Sequence, residues 1–504
     1  DADWRSGIAL VDSIIWIIII QITWIDNMTT FIGRQQDLAV LEREFEAQRA
    51  SLVILYGRRR VGKSTLIQQA SLDRPAIYFQ ATLVDDSLNL AAFKGEISRV
   101  LGSDPILDGI SDWLGVLHYV AKKAEETKGL ILALDEFPYL VGGNSALPSI
   151  IQKFWDSKAA EPGALKIVLC GSLIAQMEEL LAERNPLYGR KTLAREILPM
   201  SLREAAEFVP QWDPVDQISL FSILGGVPYY LSMCDASQPL AHNVQNLFLV
   251  PSASLQEEPE FLLRAEVNEP RRYASVAAAI ADGATKASEI VARVPGLKEV
   301  AQLSPYLVRL QQMRVIARER SLDADEHARN HKYSLQDPLF RFWYRFVRPN
   351  LGALGRGFGA EVWKRNIHPQ MNNYMGPAFE TVARDHLRDH AQERFGVPAS
   401  EIGRVWGNDF EIDIAGRLLD GSAVFGECKW ENAMIGESIR KHLEECIANT
   451  RYAEESQTRH LVFFARKGFS DALRKASEID SSVQLIDLEE LVHTPEPHPA
   501  PRGP

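Results

Sequence analysis

Short apolar runs alternate with helical patterns between residues 51 and 171 of this 504-residue chain. The runs "SLVILY", "LILAL" and "KIVLC" are separated by segments in which apolar residues recur every three or four positions. Continuous apolar runs are typical of strands buried on both faces of a parallel sheet, and the longer period is typical of helices that cover the sheet. The pattern therefore predicts an α/β domain built on a parallel sheet.

The pattern changes between about residues 270 and 335, where three helical segments precede an alternating stretch. The first is "RRYASVAAAIADG", and the second is "TKASEIVARV" with Thr285 as its cap. The third is "LSPYLVRLQQMRVI", which we expect to begin at Ser304-Pro305. "ARERSL…HKYSLQD" then alternates like a hairpin. This is the element order of a winged helix-turn-helix, whose third helix enters the major groove of DNA.

The third helix of this module offers four side chains to phosphates or base edges: Arg309, Gln311, Gln312 and Arg314. The acidic stretch "SLDADEHA" at the hairpin tip would repel a phosphate backbone, so DNA contact stays open. The following "DPLFRFWYRFVRPN" interleaves aromatic residues with arginines, as in surfaces that stack single-stranded bases. We favour the alternative, in which a helix packs its aromatic face against its neighbours.

After Met375, the helical segment "GPAFETVARDHLRDH" is followed by two strand patterns, "GRVWGNDFEIDIAG" and "SAVFGECKWEN". Their connection "RLLDGS" contains the Asp-Gly pair of a hairpin turn. Because residues two apart on a strand share a face, Glu427 and Lys429 point the same way. We expect Asp413 on the partner strand and Glu380, one turn into the helix, to lie beside them.

Three carboxylates and a lysine at one end of a hairpin suit a metal ion over a phosphodiester. The spacing Asp-x13-Glu-x-Lys, preceded by a helical glutamate, resembles the PD-(D/E)xK restriction-endonuclease-like fold, although Ile412 stands where proline is usual. We expect catalysis by Asp413, Glu427 and Lys429, and metal ligation by Glu380, Asp413 and Glu427. A cross-strand salt bridge without a metal is the alternative.

The apolar run "SLVILY" leads into a glycine-rich loop and then into a helical pattern. The loop reads Gly57-x-x-x-x-Gly62-Lys63-Ser64, in which glycines let backbone N–H groups and the helix N-terminus face an anion. We expect Lys63 to reach the β- and γ-phosphates of a nucleotide, and Ser64 to place its hydroxyl on Mg²⁺. The residues predicted to bind the nucleotide here are Gly57, Arg58, Arg59, Arg60, Val61, Gly62, Lys63, Ser64 and Thr65.

Polar residues end or follow the later apolar runs of the same domain. In "GLILALDEFPYL", we expect Asp135 to hold Mg²⁺ and its water shell, and Glu136 to orient or deprotonate the attacking water. Ser172 follows "KIVLCG", where a small polar group would sense the γ-phosphate. Arg190 in "NPLYGRKTL" could act as an arginine finger in the same or a neighbouring subunit, or pair with surface carboxylates.

These motifs, with "FIGRQQDL" before the loop and "LGGVPYYL" after it, occur in the order seen in the archaeal-type ATPases, and the chain resembles that family. The family belongs to the signal-transduction branch of the AAA+ superfamily. The resemblance implies that Arg34 lies near the nucleotide and that Gly226 and Pro228 of the helical lid contact its base or sugar. It also implies ATP rather than GTP, and a winged helix that can serve as a lid or an interaction surface.

Composition limits the partners and the compartment. The net charge of -12 and the pI near 5.5 argue against a protein that coats nucleic acid, although a local basic face is compatible with them. Four cysteines without CxxC spacing predict neither a disulfide framework nor a zinc site, so we expect a cytoplasmic protein. The apolar run before Met28 is short and carries Asp12. Because a sensible domain start follows Met28 at once, we expect a misassigned start or an artefact rather than a membrane anchor, and this point stays open.

The expected fold class is α/β, in five consecutive parts of the chain. These are an apolar extension over 1–27, a P-loop ATPase domain with helical lid over 28–265, a winged helix-turn-helix and aromatic junction over 266–350, a restriction-endonuclease-like α/β domain over 360–490, and a disordered proline-rich tail over 491–504.

Two functions from different classes fit this organisation. The first is an ATP-binding ATPase of AAA+ type, with ATP and Mg²⁺ as cofactors, that couples its nucleotide state to a nuclease-like module associated with DNA. The second is a nucleotide-switched regulator that binds DNA or protein and cuts nothing. Either function is compatible with a homo-oligomer or with a protein partner on the winged helix. The Asp413, Glu427 and Lys429 set favours the first function, because a pure regulator has no need of it.

Overall fold

A computed structural model describes residues 31–324, 331–407, 409–451, 456 and 458–494. The predicted apolar extension and most of the predicted tail lie outside these residues. The last described helix, Leu488–His493, continues past the predicted domain boundary at residue 490. Among the described helices, none has both the length and the apolar character that are needed to cross a bilayer.

Within the described residues, the first sheet consists of five parallel strands. They are β1 (Ser51–Tyr56), β2 (Ala76–Gln80), β3 (Ile131–Asp135), β4 (Lys166–Gly171) and β5 (Leu193–Glu196), in the order β2-β3-β4-β1-β5. The strands β3 and β4 are buried along their whole length, as their apolar runs predict. The predicted parallel sheet is confirmed, and the carboxyl ends of β1, β3 and β4 lie at one edge.

Helices cover both faces of this sheet. Alternate residues of β1 enter separate cores, Leu52 and Ile54 on one face and Val53 and Leu55 on the other. The helices of this domain and its lid are Gln35–Glu46, Lys63–Ala70, Asp86–Leu101, Pro105–Asp108, Trp113–Glu126, Phe137–Gly143, Leu147–Asp156, Ile174–Glu179, Leu202–Ala206, Pro214–Leu224, Pro228–Leu231, Leu240–Val244 and Glu258–Glu266, with a π-helical turn at Gln245–Leu249.

The middle module has the predicted order of three helices and a hairpin: helices Pro270–Ala281, Ala287–Arg293 and Val300–Gln312, then antiparallel strands β6 (Ile316–Glu319) and β7 (Lys332–Leu335). The predicted start of the third helix is wrong, because the helix begins at Val300 and Pro305 lies inside it. Proline removes one N–H donor from the helix. Buried Leu303 and Leu307 flank the proline and hold both turns against the core.

The aromatic junction packs inward. Helix Pro338–Phe342 continues into a π-helical turn at Trp343–Val347, and the four aromatic side chains of highest burial, none more than 2% exposed, are Phe340, Phe342, Trp343 and Phe346. This burial confirms packing rather than base stacking. The chain then forms helices Leu351–Leu354 and Gly359–Val362, short turns at Arg348–Asn350, Trp363–Ile367 and His368–Gln370, and a long helix, Met371–Phe395.

A second sheet follows the long helix. Its strands are β8 (Ala399–Trp406), β9 (Glu411–Leu418), β10 (Ala423–Lys429), β11 (Arg459–Ala465) and β12 (Val483–Ile486), in the order β12-β11-β10-β9-β8. The strands β8, β9 and β10 are antiparallel neighbours, which confirms the predicted hairpin, whereas β11 and β12 run parallel to β10. The long helix packs against β8, β9 and β10, and Glu380 lies near its middle rather than one turn from its start. Two more helices are Glu437–Ile447 and Asp471–Ile479.

The lid joins the ATPase core at a close backbone contact. The Met200 N–H donates to the Gly226 carbonyl at 2.6 Å, and a Cβ on Gly226 would lie 1.9 Å from the Met200 carbonyl oxygen. We expect Gly226→Ala to lower the free energy of unfolding by about 3 kcal/mol, because backbone cannot yield to the new methyl group. Denaturant unfolding followed by circular dichroism measures the change.

A matched control is Gly95→Ala, in helix Asp86–Leu101, where no heavy atom lies within 4 Å of the added Cβ. This substitution should stabilise the helix by roughly 0.5–1 kcal/mol. Equal unfolding midpoints for the two variants would contradict the packing of the lid described above.

Candidate functional site

Two glycines shape the phosphate loop. Gly57 has a φ of 152°, and a Cβ there would lie 2.3 Å from the Ile197 carbonyl oxygen. Gly62 has a φ of 88°, which glycine adopts without strain, just before the helix that begins at Lys63. The loop wraps around Lys63, whose Nζ donates to the carbonyl oxygens of Gly57 at 2.8 Å and Arg58 at 3.0 Å. Burial lowers the pKa of Lys63. Negatively charged phosphate oxygens would stabilise its ammonium more strongly than these neutral carbonyls do.

The predicted magnesium residues lie together at the end of β3. The Ser64 hydroxyl donates to Asp135 Oδ2 at 2.6 Å, and the Tyr78 hydroxyl donates to the same oxygen. Burial opposes ionisation of Asp135, but hydrogen bonds from Ser64, Tyr78 and Cys170 hold the pKa of this carboxyl below its usual value. Mg²⁺ is a hard cation that prefers oxygen ligands, and the Ser64 hydroxyl and the ionised Asp135 carboxylate provide them. Sequence reasoning missed Tyr78, whose only signal is its place on the strand next to β3.

Glu136 and Ser172 are brought into contact from adjacent strands. The Ser172 hydroxyl hydrogen-bonds both carboxylate oxygens of Glu136, at 2.9 and 3.0 Å, and its backbone N–H donates to one of them at 3.3 Å. Glu136 has a φ of 51°, a left-handed conformation unusual for a side chain of this size. The predicted water-orienting residue and the predicted phosphate sensor therefore occupy one site, and their roles stay predictions.

The three consecutive arginines of the loop point away from it. Each pairs with a carboxylate beyond the parallel sheet: Arg58 with Asp337, Arg59 with Glu266 at 3.3 Å, and Arg60 with Glu258 at 2.6 Å. Arg59 also donates to the Tyr139 hydroxyl at 2.6 Å. The side chains assigned to phosphate by their place in the loop thus contact the lid and the junction. Thr65, also predicted to bind nucleotide, is exposed.

The residues implied by the family resemblance reach the loop. Arg34 donates from Nη2 to the Val61 carbonyl at 2.6 Å. A Cβ built on Gly62 would lie 3.6 Å from Cγ of Pro228. Both the leading "GR" motif and the lid motif that contains Gly226 therefore border the phosphate loop.

Arg190 makes a bidentate ion pair. Its Nε and Nη2 donate to the two carboxylate oxygens of Asp156 at 2.8 Å each, and its Nη1 donates to the Pro186 carbonyl at 3.0 Å. Within this chain, Arg190 thus takes the alternative role of a carboxylate partner. Its role as an arginine finger toward a neighbouring subunit stays a prediction.

Two of the predicted DNA-reading residues, Arg309 in the third helix and Arg314 just after its end, contact the ATPase domain and its lid. Arg309 donates to the Glu266 carbonyl at 3.1 Å, and Arg314 makes two bonds to Glu196 at 2.7 and 2.8 Å. Gln311 bonds back to the carbonyl of its own helix at Leu307. In this arrangement Arg309 and Arg314 do not face outward toward DNA as predicted, because both pair with carboxylates of the same chain.

The C-terminal sheet carries the predicted carboxylate cluster. Glu427 is 8% exposed and pairs with the Lys429 ammonium. Asp413 on β9 accepts the Cys428 N–H of β10 at 3.0 Å. Glu380 of the long helix lies 3.6 Å from Arg384, whose Nη1 also donates to the Asp413 carbonyl at 2.9 Å.

Repulsion from Asp413 acts on both glutamates of the cluster. Burial, and then repulsion from Asp413, raise the pKa of Glu380 to about 7. The same two causes raise the pKa of Glu427, which Lys429 opposes, and burial raises the pKa of Asp413 itself. The four residues that were predicted to lie together, Glu380, Asp413, Glu427 and Lys429, therefore form one cluster.

The cluster has the type of donor atoms that a hard cation prefers, but these atoms are not grouped as in a formed metal site. Its donors are carboxylate oxygens, which Mg²⁺ and Mn²⁺ prefer. In the described part of the chain, however, no group of three or more His, Cys, Asp or Glu residues is set to hold a metal ion. Metal ligation by Glu380, Asp413 and Glu427 therefore stays a prediction.

Two domain families match the chain. The first, described as an ATPase domain predominantly from archaea, matches residues 31–234, and the second, described as archaeal and bacterial proteins of unknown function, matches residues 343–443. Uncharacterized protein MJECL04 of Methanocaldococcus jannaschii is 30% identical over 407 residues, which are 80% of this chain and 88% of that protein. The chain belongs to the archaeal ATPase family. It is an ATP-binding ATPase with the P-loop fold.

Further relatives of this archaeal ATPase cover different parts of it. Uncharacterized ATP-binding protein MJ0423 of Methanocaldococcus jannaschii is 51% identical over 43 residues, which are 8% of this chain and 73% of that protein. Among solved structures, the Walker-type ATPase PABY2304 of Pyrococcus abyssi has 21% sequence identity and a TM-score of 0.48, covering 63% of this chain and 97% of that one.

The pKa of Glu380 makes the C-terminal cluster sensitive to pH. The folded state holds this proton up to about pH 7, whereas the unfolded chain releases it near the ordinary value of 4.5, so stability falls as the pH rises between these values. Glu380→Gln removes this loss. We expect the variant to have a higher unfolding temperature than the wild type above pH 7, and the difference to disappear near about pH 4.

Thermal unfolding of the wild type and Glu380→Gln across this pH range measures the effect. Glu393→Gln, which changes an exposed glutamate of the same helix, is the control and should follow the wild type. A wild-type and a Glu380→Gln curve that run parallel at every pH would contradict the raised pKa.

Proposed function

We propose that this archaeal ATPase uses ATP binding and hydrolysis to control a metal-dependent nuclease site in its C-terminal domain, with DNA as the substrate. The observation that carries the proposal is the position of the Asp413 carboxylate, which accepts the N–H of Cys428 between Glu427 and Lys429. The Arg384 guanidinium connects Asp413 to Glu380. The front half of the chain supplies the nucleotide site, and the long helix connects that half to the cluster.

The charges of the cluster favour a cation. Ionised Glu380, Asp413 and Glu427 carry three negative charges, and the positive partners beside them are Lys429 and Arg384. Buried carboxylates without full compensation are unfavourable, which their raised pKa values reflect. A divalent cation would balance the charge and draw the carboxylates into their ionised form.

Each residue of the cluster has a role in this proposal. The carboxylate oxygens of Glu380, Asp413 and Glu427 would hold the ion, which when bound polarises the scissile phosphate and activates water. The Lys429 side chain is 28% exposed, so its ammonium can reach a phosphate oxygen after it leaves Glu427. There it would stabilise negative charge that develops on the phosphate.

A nucleotide-switched regulator that binds DNA or protein without cutting is the second candidate. The ion pairs of Arg309 and Arg314 with Glu266 and Glu196 favour it, because their release would expose two arginines at the C-terminal end of the third helix. This candidate needs no metal at Asp413.

Cleavage of supercoiled plasmid by the full chain, with Mg²⁺ or Mn²⁺ and with or without ATP, tests the proposal. We expect metal-dependent cutting whose rate changes about tenfold with ATP, a common strength of coupling between sites.

Glu427→Gln should abolish cutting and keep ATP hydrolysis. Lys63→Ala should lose ATP binding and, with it, the response of cutting to ATP. Glu393→Gln, which changes an exposed carboxylate of the helix that carries Glu380, is the matched control and should cut normally.

Three results would contradict parts of the proposal. Cutting that persists in Glu427→Gln would place the activity outside the cluster. No cutting of supercoiled, linear or single-stranded DNA, with ATP hydrolysis intact, would support the regulator instead. Unchanged ATP binding in Lys63→Ala would refute the phosphate loop as the nucleotide site.

A further inference from the structure

A cavity of about 650 Å³ lies between the ATPase domain and the C-terminal domain. Its ATPase wall includes Arg34, Gly226 and Val227, next to the phosphate loop. The opposite wall is the long helix of the C-terminal domain, which contributes Thr381 and Asp385. This volume is in the range of pockets that bind small molecules and cofactors.

The phosphate loop separates this cavity from a smaller one. Arg58 of the loop lines both cavities, and the smaller cavity is also lined by Ser172, the residue that holds Glu136. A nucleotide that lies on the loop with its γ-phosphate toward Ser172 would direct its base and sugar toward the larger cavity. Gly226, which the family resemblance places at the base or sugar, lines this cavity together with Arg34, which the resemblance places near the nucleotide.

A buried polar atom on this wall lacks a partner. Arg34 is 5% exposed, and its two terminal nitrogens bond to Asp37 and to the Val61 carbonyl. Its Nε is buried and, among the described residues, has no hydrogen-bond acceptor. Buried N–H groups of proteins are nearly always paired, so this atom points to a ligand with an acceptor.

We propose that the long helix of the C-terminal domain completes the nucleotide site, with Asp385 and Thr381 facing the ribose and base of ATP. A carboxylate suits this role because its oxygens accept hydrogen bonds from ribose hydroxyls, as acidic residues do in dinucleotide-binding folds. Asp385 is exposed to the cavity and shares an ion pair with Arg388, which also lines it.

The same helix also contacts the carboxylate cluster. Thr381 and Asp385 line the cavity, and the residues directly before them, Glu380 and Arg384, belong to the cluster. The Arg384 Nη2 also donates to the Thr381 hydroxyl at 3.2 Å, so the cavity lining and the cluster are in contact. The Arg384 guanidinium donates to the Asp413 carbonyl at 2.9 Å. One rigid element therefore connects the ribose end of ATP to the cluster. This connection rests on the proposed function, but the contact with ATP does not.

ATP affinity of two full-chain variants tests the contact. Asp385→Trp fills the cavity from the C-terminal side, and we expect it to weaken ATP binding about tenfold, which corresponds to about 1.4 kcal/mol. Asp385→Asn should reduce the preference for ATP over 2′-deoxyATP, because an amide is a weaker acceptor for a ribose hydroxyl. Glu393→Trp, an exposed position of the same helix outside the cavity lining, is the matched control and should bind ATP normally. Titration calorimetry in the presence of Mg²⁺ measures the nucleotide affinity of the wild type and of these three variants.

Magnesium tripolyphosphate distinguishes the ribose end from the phosphate end. Its affinity should be the same in Asp385→Trp and in the wild type, because it has no sugar or base. Equal loss of ATP and tripolyphosphate binding, or ATP affinity in Asp385→Trp within about twofold of the wild type, would overturn the proposal. Neither result depends on DNA cleavage. The contact between the long helix and ATP can therefore be refuted without refuting the nuclease site, and the nuclease site can be refuted without refuting the contact.

Discussion

The ion pairs of Arg58, Arg59 and Arg60 join the phosphate loop to the segments that follow the parallel sheet. Two of their carboxylate partners are almost completely buried, with side-chain exposures of 1% for Asp337 and 4% for Glu258. Loss of one member of a buried ion pair strongly lowers the stability of the fold, because it leaves an uncompensated charge in a medium of low polarity. We therefore expect movement of the loop around a nucleotide to displace the lid and the junction as well.

The junction passes this constraint to the C-terminal domain. The Ser222 carbonyl of the lid accepts the Tyr374 hydroxyl at 2.9 Å and the Arg341 guanidinium at 3.3 Å, so the lid, the junction and the long helix meet at one atom. From there the long helix runs past the large cavity to Arg384 and Asp413. Packed elements that have more than one arrangement can carry coupling between distant sites. Here the series ends at the carboxylate cluster.

Sequence patterns predicted the features that are determined by local constraints. Glycine spacing indicated the phosphate loop, apolar runs indicated the parallel strands, and an Asp-Gly turn indicated the hairpin of the cluster. Contacts between distant segments could not be predicted in this way: Tyr78 reaches Asp135 because β2 and β3 are neighbours, and Arg59 reaches Glu266 because the lid folds back. The third helix begins earlier than its Pro305 signal, because packing of the preceding turn outweighs the preference of proline for a first turn.

Hydrogen–deuterium exchange of the long helix, with and without ATP, tests most directly whether the nucleotide acts on the C-terminal domain. We predict that ATP slows exchange of the amides over residues 380–389 in the wild type, because this segment becomes part of a ligand site. In Lys63→Ala, ATP should leave these amides unchanged. Protection confined to the phosphate loop and the lid in the wild type, with the long helix unaffected at saturating ATP, would contradict an action of the nucleotide on the C-terminal domain.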